Sequence, residues 1–162
     1  MRDATDIERA IDAHGDAVWR ACVLYFGSKA DAQDAFQETM LRYATHDKPF
    51  NDDEHRKAWL IRVATNVCKD MLKAVSRKNV ALDDAPQALA AASTDPAVSP
   101  DSRVREALDA IRALPDPPRT PVYLALYEGY TAPEIANMVS APVNTVYSWI
   151  ARGRKQLKEA LA

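Results

Sequence analysis

The stretch that decides the fold runs from Thr131 to Leu157 and reads TAPEIANMVSAPVNTVYSWIARGRKQL. Its pattern predicts a short helix, a tight break at Ser140-Ala141-Pro142, and a longer helix that begins near Val143 and ends in cations. This is the layout of a helix-turn-helix, whose second helix can lie in the major groove of DNA. The pattern therefore favours a protein that reads nucleic acid over an enzyme.

The first helix of this stretch starts with recognisable capping residues. Thr131 is a candidate N-cap, and Glu134, three residues later, can complete a capping box. Pro133 falls in the first turn, where its missing N–H costs little. Upstream, the spacing predicts an amphipathic helix that ends at Leu114 and a second helix over about Arg119 to Tyr127.

Length and composition narrow the class of protein. A chain of 162 residues can form one ordinary domain or two small ones, and a hydrophobic fraction of 48% is typical of globular proteins. No apolar run approaches the ~18 residues that a membrane-spanning helix needs, and the N-terminus lacks the apolar core of a signal peptide. We therefore expect a cytoplasmic protein with no membrane insertion.

The cysteines and histidines do not indicate a metal or cofactor site. Cys22 and Cys68 belong to no CxxC pair, and His14, His46 and His55 fit no metal-ligand spacing. We expect two reduced thiols packed as small hydrophobic side chains, with no metal and no cofactor.

Charge is distributed unevenly along the chain. The whole carries a formal net charge of −2, which taken alone argues against a nucleic-acid binder. However, residues 54–80 carry seven cations against two carboxylates, and residues 142–162 carry four cations against one. Residues 81–101 carry four aspartates and no cation. Two cationic segments are thus separated by an acidic one, so each can create its own local field.

The same acidic segment predicts the domain organisation. It contains three prolines and no aromatic residue, which favours an extended, mobile linker, with a short helix around Gln87 to Ala92 left open. We predict a helical domain over 1–80, a linker over 81–101 and a helix-turn-helix domain over 102–162. No period-two strand pattern occurs, so the predicted fold class is all-α, with two small helical domains.

The N-terminal half contains two strongly periodic helical stretches. Ala30 to Tyr43 places apolar residues at spacings of three and four, and Ala58 to Val75 does so over a longer range, with Trp59 in its apolar stripe. Opposite that stripe, five polar residues fall within roughly an 80° arc of the helix and form a cationic ridge. These residues are Arg62, Asn66, Lys69, Lys73 and Arg77.

Three stretches in this order resemble a known family. Asp31–Arg42, Lys57–Asn66 followed by Lys69-Asp70, and Tyr127–Leu157 are similar to regions 2.2, 2.3–2.4 and 4 of bacterial RNA polymerase sigma factors of the extracytoplasmic-function (ECF) group. The resemblance covers nearly the whole chain. It implies a transcription initiation subunit that directs core RNA polymerase to specific promoters and assists promoter opening.

The resemblance also implies partners and contact residues. The family binds core polymerase through the β′ clamp helices and the β flap, binds promoter DNA, and is commonly held inactive by an anti-sigma factor. The positions that match the clamp-binding surface are Asp34, Gln37, Glu38, Leu41 and Arg42.

For the minus-ten element, an aromatic residue of the loop before the helix and an asparagine on the helix help to form a base pocket in similar proteins. Phe50 and Asn66 match them, although Phe50 could equally be an ordinary anchor of its loop in the core. For Trp59, core packing is favoured over DNA contact. The full minus-ten set is Phe50, Asn51, Arg62, Asn66, Lys69, Lys73 and Arg77.

For the minus-thirty-five element, the matching residues lie on the second helix of the helix-turn-helix. Tyr147 and Trp149 stand where similar proteins often carry cations, so this chain either reads a different sequence or binds this element weakly. The candidates are Asn144, Thr145, Tyr147, Ser148, Trp149, Arg152 and Lys155.

Two other functions remain open from the sequence. A DNA-binding regulator would use only the C-terminal helix-turn-helix, and a degenerate sigma-like interaction protein would have lost promoter reading. An enzyme is disfavoured because the chain shows no Gly-rich phosphate loop, metal cluster or nucleophile–base pair.

Overall fold

The computed structural model describes residues 1–78 and 102–161, and the chain divides into two compact units, Met1–Val98 and Ser99–Ala162. The predicted linker over 81–101, with its possible short helix, lies outside the described residues. Within the described ranges every regular element is helical, which confirms the predicted all-α class. None of the helices in these ranges is long and apolar enough to cross a bilayer.

Over residues 1–78, the described part of the first unit, three helices form a bundle in which each packs against the other two. They are α1 (Ala4–Tyr25), α2 (Lys29–Thr45) and α3 (Asp53–Lys78). The loop before α3 ends in Asp52, whose carboxylate accepts a hydrogen bond of 2.7 Å from the backbone N–H of His55. This hydrogen bond satisfies one of the free backbone donors at the start of the helix.

Side chains from all three helices fill the core of this bundle. Val18, Tyr43, Leu60 and Ile61 are among the largest fully buried ones. Cys22 and Cys68 are free thiols and both are completely buried, as predicted. Hydrogen bonding to the Cys22 thiol, together with burial, raises the pKa of the Cys68 thiol, so the Cys68 thiol stays protonated.

The apolar stripe of α3 is buried over only part of its length. Ala64 and Val67 are buried, but Leu72 is 37% exposed and Val75 is 51% exposed. The physical reason is length, because α3 has 26 residues whereas α2 has 17, a difference of about 14 Å at 1.5 Å per residue. The apolar stripe recognised over Ala58 to Val75 is therefore exposed in the last turns of the helix.

The second unit contains four helices. They are α4 (Ser102–Arg112), α5 (Arg119–Val122, continued by a π-helical turn over Tyr123–Tyr127), α6 (Ala132–Val139) and α7 (Val143–Leu161). Helix α7 contacts α4, α5 and α6 and is thus the centre of the unit. Its buried face consists of Val146, Ile150, Gly153 and Leu157.

The helix-turn-helix is present where the sequence predicted it. The Thr131 hydroxyl accepts a hydrogen bond from the Glu134 N–H, and the Glu134 carboxylate accepts one from the Thr131 N–H, so the capping box is complete. Helix α6 ends at Ser140, which adopts a left-handed conformation with φ of 57°. That residue turns the chain into α7, which begins at Val143 as expected.

Gly153 allows α7 to approach α5 very closely. A Cβ atom added at this position would lie 3.5 Å from Pro118 Cβ and 3.3 Å from Val122 Cβ, and it would overlap Val122 Cγ2. Val122 is fully buried, so it has no free space into which it could move. The glycine within the cationic Arg152-Gly153-Arg154 sequence therefore serves helix packing.

We predict that Gly153→Ala destabilises the second unit although alanine is the better helix former. Overpacking costs about 1–3 kcal/mol, against about 1 kcal/mol gained in helix propensity. Urea unfolding followed by circular dichroism measures the change. Val122→Ala removes Cγ2, the methyl group that the new Cβ would overlap. The double variant should therefore lose less unfolding free energy than the sum of the losses in the two single variants. Additive effects would contradict the assignment of Gly153 to this contact.

Candidate nucleic-acid and protein interfaces

One face of α2 is free of the bundle. Helix α2 buries Ala35, Thr39 and Tyr43 against its neighbours. At about 100° per residue, the five predicted polymerase-binding residues all lie on the opposite half of the helix. Asp34, Gln37, Leu41 and Arg42 are exposed and Glu38 is half-buried.

This α2 face combines charge with an apolar residue. The Leu41 side chain is 59% exposed. Beside it on the helix, Arg42 Nε lies 3.4 Å from Glu38 Oε1 in an exposed ion pair, which contributes little to stability. An exposed leucine among polar and charged side chains can serve as an apolar contact when a partner protein covers this face.

A groove of about 620 Å³ between α1 and α2 adjoins this face. Ile11, Trp19 and Phe36 supply apolar lining, and the α2-face residue Gln37 also contributes to it. The rings of Trp19 and Phe36 meet edge to face with their centroids 6.4 Å apart. Such a groove can accept a side chain from a partner helix that lies along α2.

The cationic ridge of α3 points away from the core. Arg62, Asn66 and Lys73 are exposed and Lys69 is half-buried, whereas the side chain of Arg77 lies outside the described part of the chain. On the helix, the ridge is centred about 160° from the mean direction of the buried residues. Among the described residues, none forms a hydrogen bond or ion pair with these four side chains. Their donors are therefore available to an external ligand such as phosphate.

The loop over residues 46–52, between α2 and α3, carries Phe50 and Asn51. The Phe50 ring stacks on Tyr43 with an interplanar angle of 11° and meets Trp59 edge to face, with centroids 5.7 Å apart. His46 packs on Trp59 with centroids 4.5 Å apart. We call Tyr43, His46, Phe50 and Trp59 the aromatic cluster; it fastens the loop to the bundle.

Two members of the aromatic cluster, Trp59 and Phe50, lie at the boundary between the bundle and the loop. Trp59 is half-buried, and its direction on α3 is within about 20° of that of Asn66, on the ridge side of the helix. It contacts the buried Tyr43 of α2 as well as His46 and Phe50 of the 46–52 loop. Phe50 is also half-buried, and its contacts show that it anchors the loop. The aromatic cluster thus adjoins the start of the ridge.

Electrostatic contacts hold both ends of this loop. Hydrogen bonds from His14 and Arg56 to the Asp53 carboxylate, 3.0 Å and 2.8 Å long, hold the pKa of Asp53 below its usual value. Burial lowers the pKa of His46, and the nearby cations Arg2 and Lys48 lower it further, so His46 is neutral at pH 7. The exposed Asn51 donates its backbone N–H to His55 Nδ1 at 3.1 Å.

One residue at this loop was missed by sequence reasoning. Arg2 forms hydrogen bonds to the carbonyl oxygens of Tyr43 and Lys48, and its side chain is 12% exposed. No sequence signal links residues that lie more than 40 positions apart without a motif. The fold alone brings the first residues of the chain to the end of α2.

The exposed side of α7 contains only some of the predicted minus-thirty-five residues. Relative to the buried face, Asn144, Ser148 and Lys155 lie on the opposite side, and Arg152 lies within about 60° of them. All four are exposed, and Ser148 donates its hydroxyl to the carbonyl of Asn144 at 3.1 Å.

The remaining α7 candidates lie on its flanks. Tyr147, 57% exposed, is on one flank, whereas Thr145 and Trp149 are half-buried on the other, about 160° or more away from it. The seven candidates therefore do not share one surface. Their separation divides them into a central polar set and two flanks.

The part of the chain described by the structure contains no group of three or more side chains suited to holding a metal ion. Its distinguishing surfaces are instead helix faces with unpaired polar and cationic groups. Such surfaces suit binding to large partners.

Comparison with known families matches both units. Residues 10–78 match the family model described as Sigma-70 region 2, and residues 105–157 match the one described as Sigma-70, region 4.

Several curated proteins are similar over most of the chain. The ECF RNA polymerase sigma factor SigE of Mycolicibacterium smegmatis is 31% identical over 158 residues, 96% of this chain and 61% of that protein. The chain thus spans about three fifths of the length of this relative. The ECF sigma factor SigW of Bacillus subtilis is 28% identical, and the match covers 93% of this chain and 86% of that protein. The RNA polymerase sigma-H factor of Pseudomonas aeruginosa is 30% identical, and the match covers 81% of this chain and 73% of that protein.

Solved structures share the fold. The sigma factor RpoE of Bartonella quintana, crystallised with the anti-sigma factor NepR, superposes with a TM-score of 0.74 at 18% identity, covering 98% of both chains. CnrH, in complex with the cytosolic domain of CnrY, superposes with a TM-score of 0.63 at 22% identity. The match covers 98% of this chain and 89% of the CnrH chain. The family matches, the relatives and the fold agree, and the chain belongs to the ECF group of RNA polymerase sigma factors, which act in transcription initiation.

Proposed function

We propose that this sigma factor directs core RNA polymerase to specific promoters and assists their opening by means of three helix faces. The observation that carries the proposal is the cationic ridge of α3, whose described side chains have no partner within the described chain. A protein that places several cations on one exposed stripe strengthens binding to a polyanion, because each neutralised phosphate releases counterions. Membership of the sigma family identifies that polyanion as promoter DNA.

The α2 face is our candidate for the contact with the polymerase β′ clamp helices. Leu41 supplies an apolar anchor, while Asp34, Gln37, Glu38 and Arg42 supply polar contacts around it. This combination of one apolar residue and a charged rim is common at interfaces between proteins. We further propose that the second unit meets the β flap, as the resemblance to the family implies.

The minus-ten contact is proposed for the ridge and the 46–52 loop together. Arg62, Lys69, Lys73 and Arg77 would hold phosphates, while Asn51 and Asn66 would meet an unstacked base. Because Phe50 packs against Tyr43, we assign Phe50 an indirect role: its ring anchors the loop whose other residues would meet the base. Extrusion of a base costs a few kcal/mol, so a loop already held in place lowers the remaining cost of capture.

The minus-thirty-five contact is proposed for the exposed side of α7. Asn144 and Ser148, near its N-terminus, are placed to reach base edges, and Arg152 and Lys155 to hold phosphates. Tyr147, on one flank, could add an apolar contact with a thymine methyl group. Thr145 and Trp149, on the other flank, are better placed for a neighbouring part of a partner protein.

The remaining assignments follow from this function. We propose a cytoplasmic protein that works by binding, without catalysis, and that is organised as domains over 1–80 and 102–162 joined by residues 81–101. The complexes of RpoE with NepR and of CnrH with CnrY support an anti-sigma factor as a further partner of this chain.

Two alternatives differ in what they require. A DNA-binding regulator would need only α6 and α7, and it would leave the free faces of α2 and α3 without a role. A sigma-like protein that no longer reads promoters is supported only by the half-buried Trp149 and Thr145 among the predicted readers. Run-off transcription with bacterial core polymerase and a promoter library separates all three. We expect specific transcripts only when both proteins are present, and no transcript above core polymerase alone would overturn the proposal.

We predict that Arg62→Ala and Lys69→Ala each weaken promoter binding on every template. Each should lower the slope of log K against log salt by about one, because one fewer phosphate is neutralised. Filter binding by the assembled holoenzyme over a salt series measures this. Arg9→Ala, which removes an exposed arginine of α1, is the matched control. A ridge variant with the same salt slope as the control would refute the assignment.

For Asn66→Ala we expect promoter opening to fall about tenfold while polymerase affinity stays within twofold, because Asn66 is exposed and has no described partner. Permanganate footprinting measures opening, and a pull-down measures polymerase affinity. A template with a preformed bubble at the minus-ten element should recover most of the loss. Equal loss of opening and polymerase binding would mean that Asn66 only supports the fold.

Leu41→Ala should lower affinity for core polymerase about fivefold or more, since truncation of an apolar interface anchor costs ~1 kcal/mol or more. Thermal unfolding should barely change, because this side chain contributes little to the core. Val75→Ala removes another exposed apolar side chain and provides the control. If both variants bind polymerase equally well, the α2 face is not the docking surface.

A further inference from the structure

We propose that Arg2 is a positioning residue for minus-ten recognition, because it holds the 46–52 loop in the conformation that receives promoter DNA. The inference deepens the proposed function and rests on it. It concerns a residue outside every sigma-like motif in the sequence.

The first observation is the number of groups that one guanidinium joins. Arg2 Nε donates to the carbonyl of Tyr43 at 3.2 Å, and Nη2 donates to the carbonyl of Lys48 at 2.8 Å. Nη1 donates to Asp6 Oδ2 at 3.0 Å, and the backbone N–H of Arg2 donates to the carbonyl of Ala44 at 2.8 Å. The start of α1, the end of α2 and the loop are thus linked through one residue.

The second observation is where Arg2 lies relative to the loop aromatic ring. Its guanidinium carbon is 4.6 Å from the centroid of the Tyr43 ring and 5.0 Å from that of Phe50. These are the two rings that stack on each other. Arg2 therefore fixes the loop in two ways, through the Lys48 carbonyl and through the Phe50 ring.

The third observation concerns the Asp6 carboxylate, which holds Arg2 in this position. Asp6 accepts a hydrogen bond of 2.6 Å from the Tyr43 hydroxyl in addition to the bond from Arg2. Those bonds, the Tyr43 bond foremost, keep the pKa of Asp6 below its usual value, so it remains an anion at physiological pH. The aromatic ring, the carboxylate and the guanidinium form one connected group.

Arginine is chemically suited to this position and lysine is not. The contacts require a planar group that donates in three directions within one plane while it packs on aromatic rings. An ammonium group has its donors on a single atom and cannot reach Tyr43, Lys48 and Asp6 at once. The arrangement thus accounts for the residue type.

The carbonyls of Tyr43 and Ala44 lie in the last turn of α2, where the final helix carbonyls need partners from outside the helix, and the Tyr43 carbonyl also accepts from the backbone N–H of His46 at 3.1 Å. By binding them, Arg2 fixes the point from which the loop departs. A loop whose departure point, carbonyl and aromatic ring are all held needs less ordering when DNA binds. Loss of Arg2 should therefore affect the capture of the minus-ten strand more than docking on polymerase.

The test uses the full chain assembled with core polymerase and three variants. Arg2→Met keeps much of the side-chain length without donors, and Arg2→Lys keeps the charge. Arg9→Met changes an arginine of α1 that is exposed and has no described partner, and it is the control. The readouts are affinity for a single-stranded oligonucleotide with the non-template minus-ten sequence, affinity for core polymerase, and backbone hydrogen exchange of the sigma factor.

We expect Arg2→Met to lower oligonucleotide affinity about tenfold, Arg2→Lys to lower it by a smaller factor, and Arg9→Met to leave it unchanged. Polymerase affinity should stay within twofold in all three. Hydrogen exchange should accelerate at residues 44–52 in Arg2→Met but not at the buried centre of α3.

Unchanged oligonucleotide affinity in Arg2→Met would overturn the inference. Equal loss of oligonucleotide and polymerase affinity, or faster exchange throughout the three-helix bundle, would also overturn it, because Arg2 would then be merely structural. If Arg2→Met fails to fold, Arg2→Lys carries the same comparison. A wild-type holoenzyme that captures no promoter strand would overturn the proposed function itself. An Arg2→Met holoenzyme that binds the oligonucleotide as tightly as wild type would overturn only the role of Arg2.

Discussion

The burial of one face of α3 against α1 and α2 determines where the cations of this helix lie. Leu60, Ile61, Ala64 and Cys68 are buried on one side, so residues at spacings of four, three and four on the other side must point outward. A charged group at the buried side would lose its hydration without a partner, which is very unfavourable. The same packing that stabilises the first unit therefore creates the ridge that we propose for DNA binding, and α2 and α7 follow the same principle.

The 46–52 loop lies beside the ridge and is held in place by contacts with the rest of the first unit. It is fastened by the aromatic cluster, by the Asp52 cap of α3 and by Arg2. Among the residues that hold the loop, Tyr43 is fully buried in the bundle, and Trp59 and Arg2 are half-buried. Stability of the bundle and presentation of the loop are thus coupled, and the proposed base-binding groups Asn51 and Asn66 remain exposed at the edge of this region.

The sequence predicted those features that depend on local rules. The Thr131–Glu134 capping box, the Ser140 break and the outward direction of Arg62 to Lys73 follow from capping preferences and helical periodicity, which act over a few residues. The features it did not predict depend on contacts between distant segments. Arg2 reaches Lys48 across 46 positions, and Gly153 is required because Val122 lies against it. The exposure of Leu72 and Val75 likewise depends on how far α3 extends beyond its neighbours, which no local pattern encodes.

The central claim is that the α3 ridge and the exposed side of α7 contact two separate promoter elements in one complex with polymerase. The most direct measurement places a photo-crosslinking amino acid at Lys73, and separately at Ser148, in holoenzyme bound to a promoter. Crosslinks from position 73 to the minus-ten region and from position 148 to the minus-thirty-five region are the expected result. Crosslinks from position 73 to polymerase subunits alone, with none to DNA, would contradict the account.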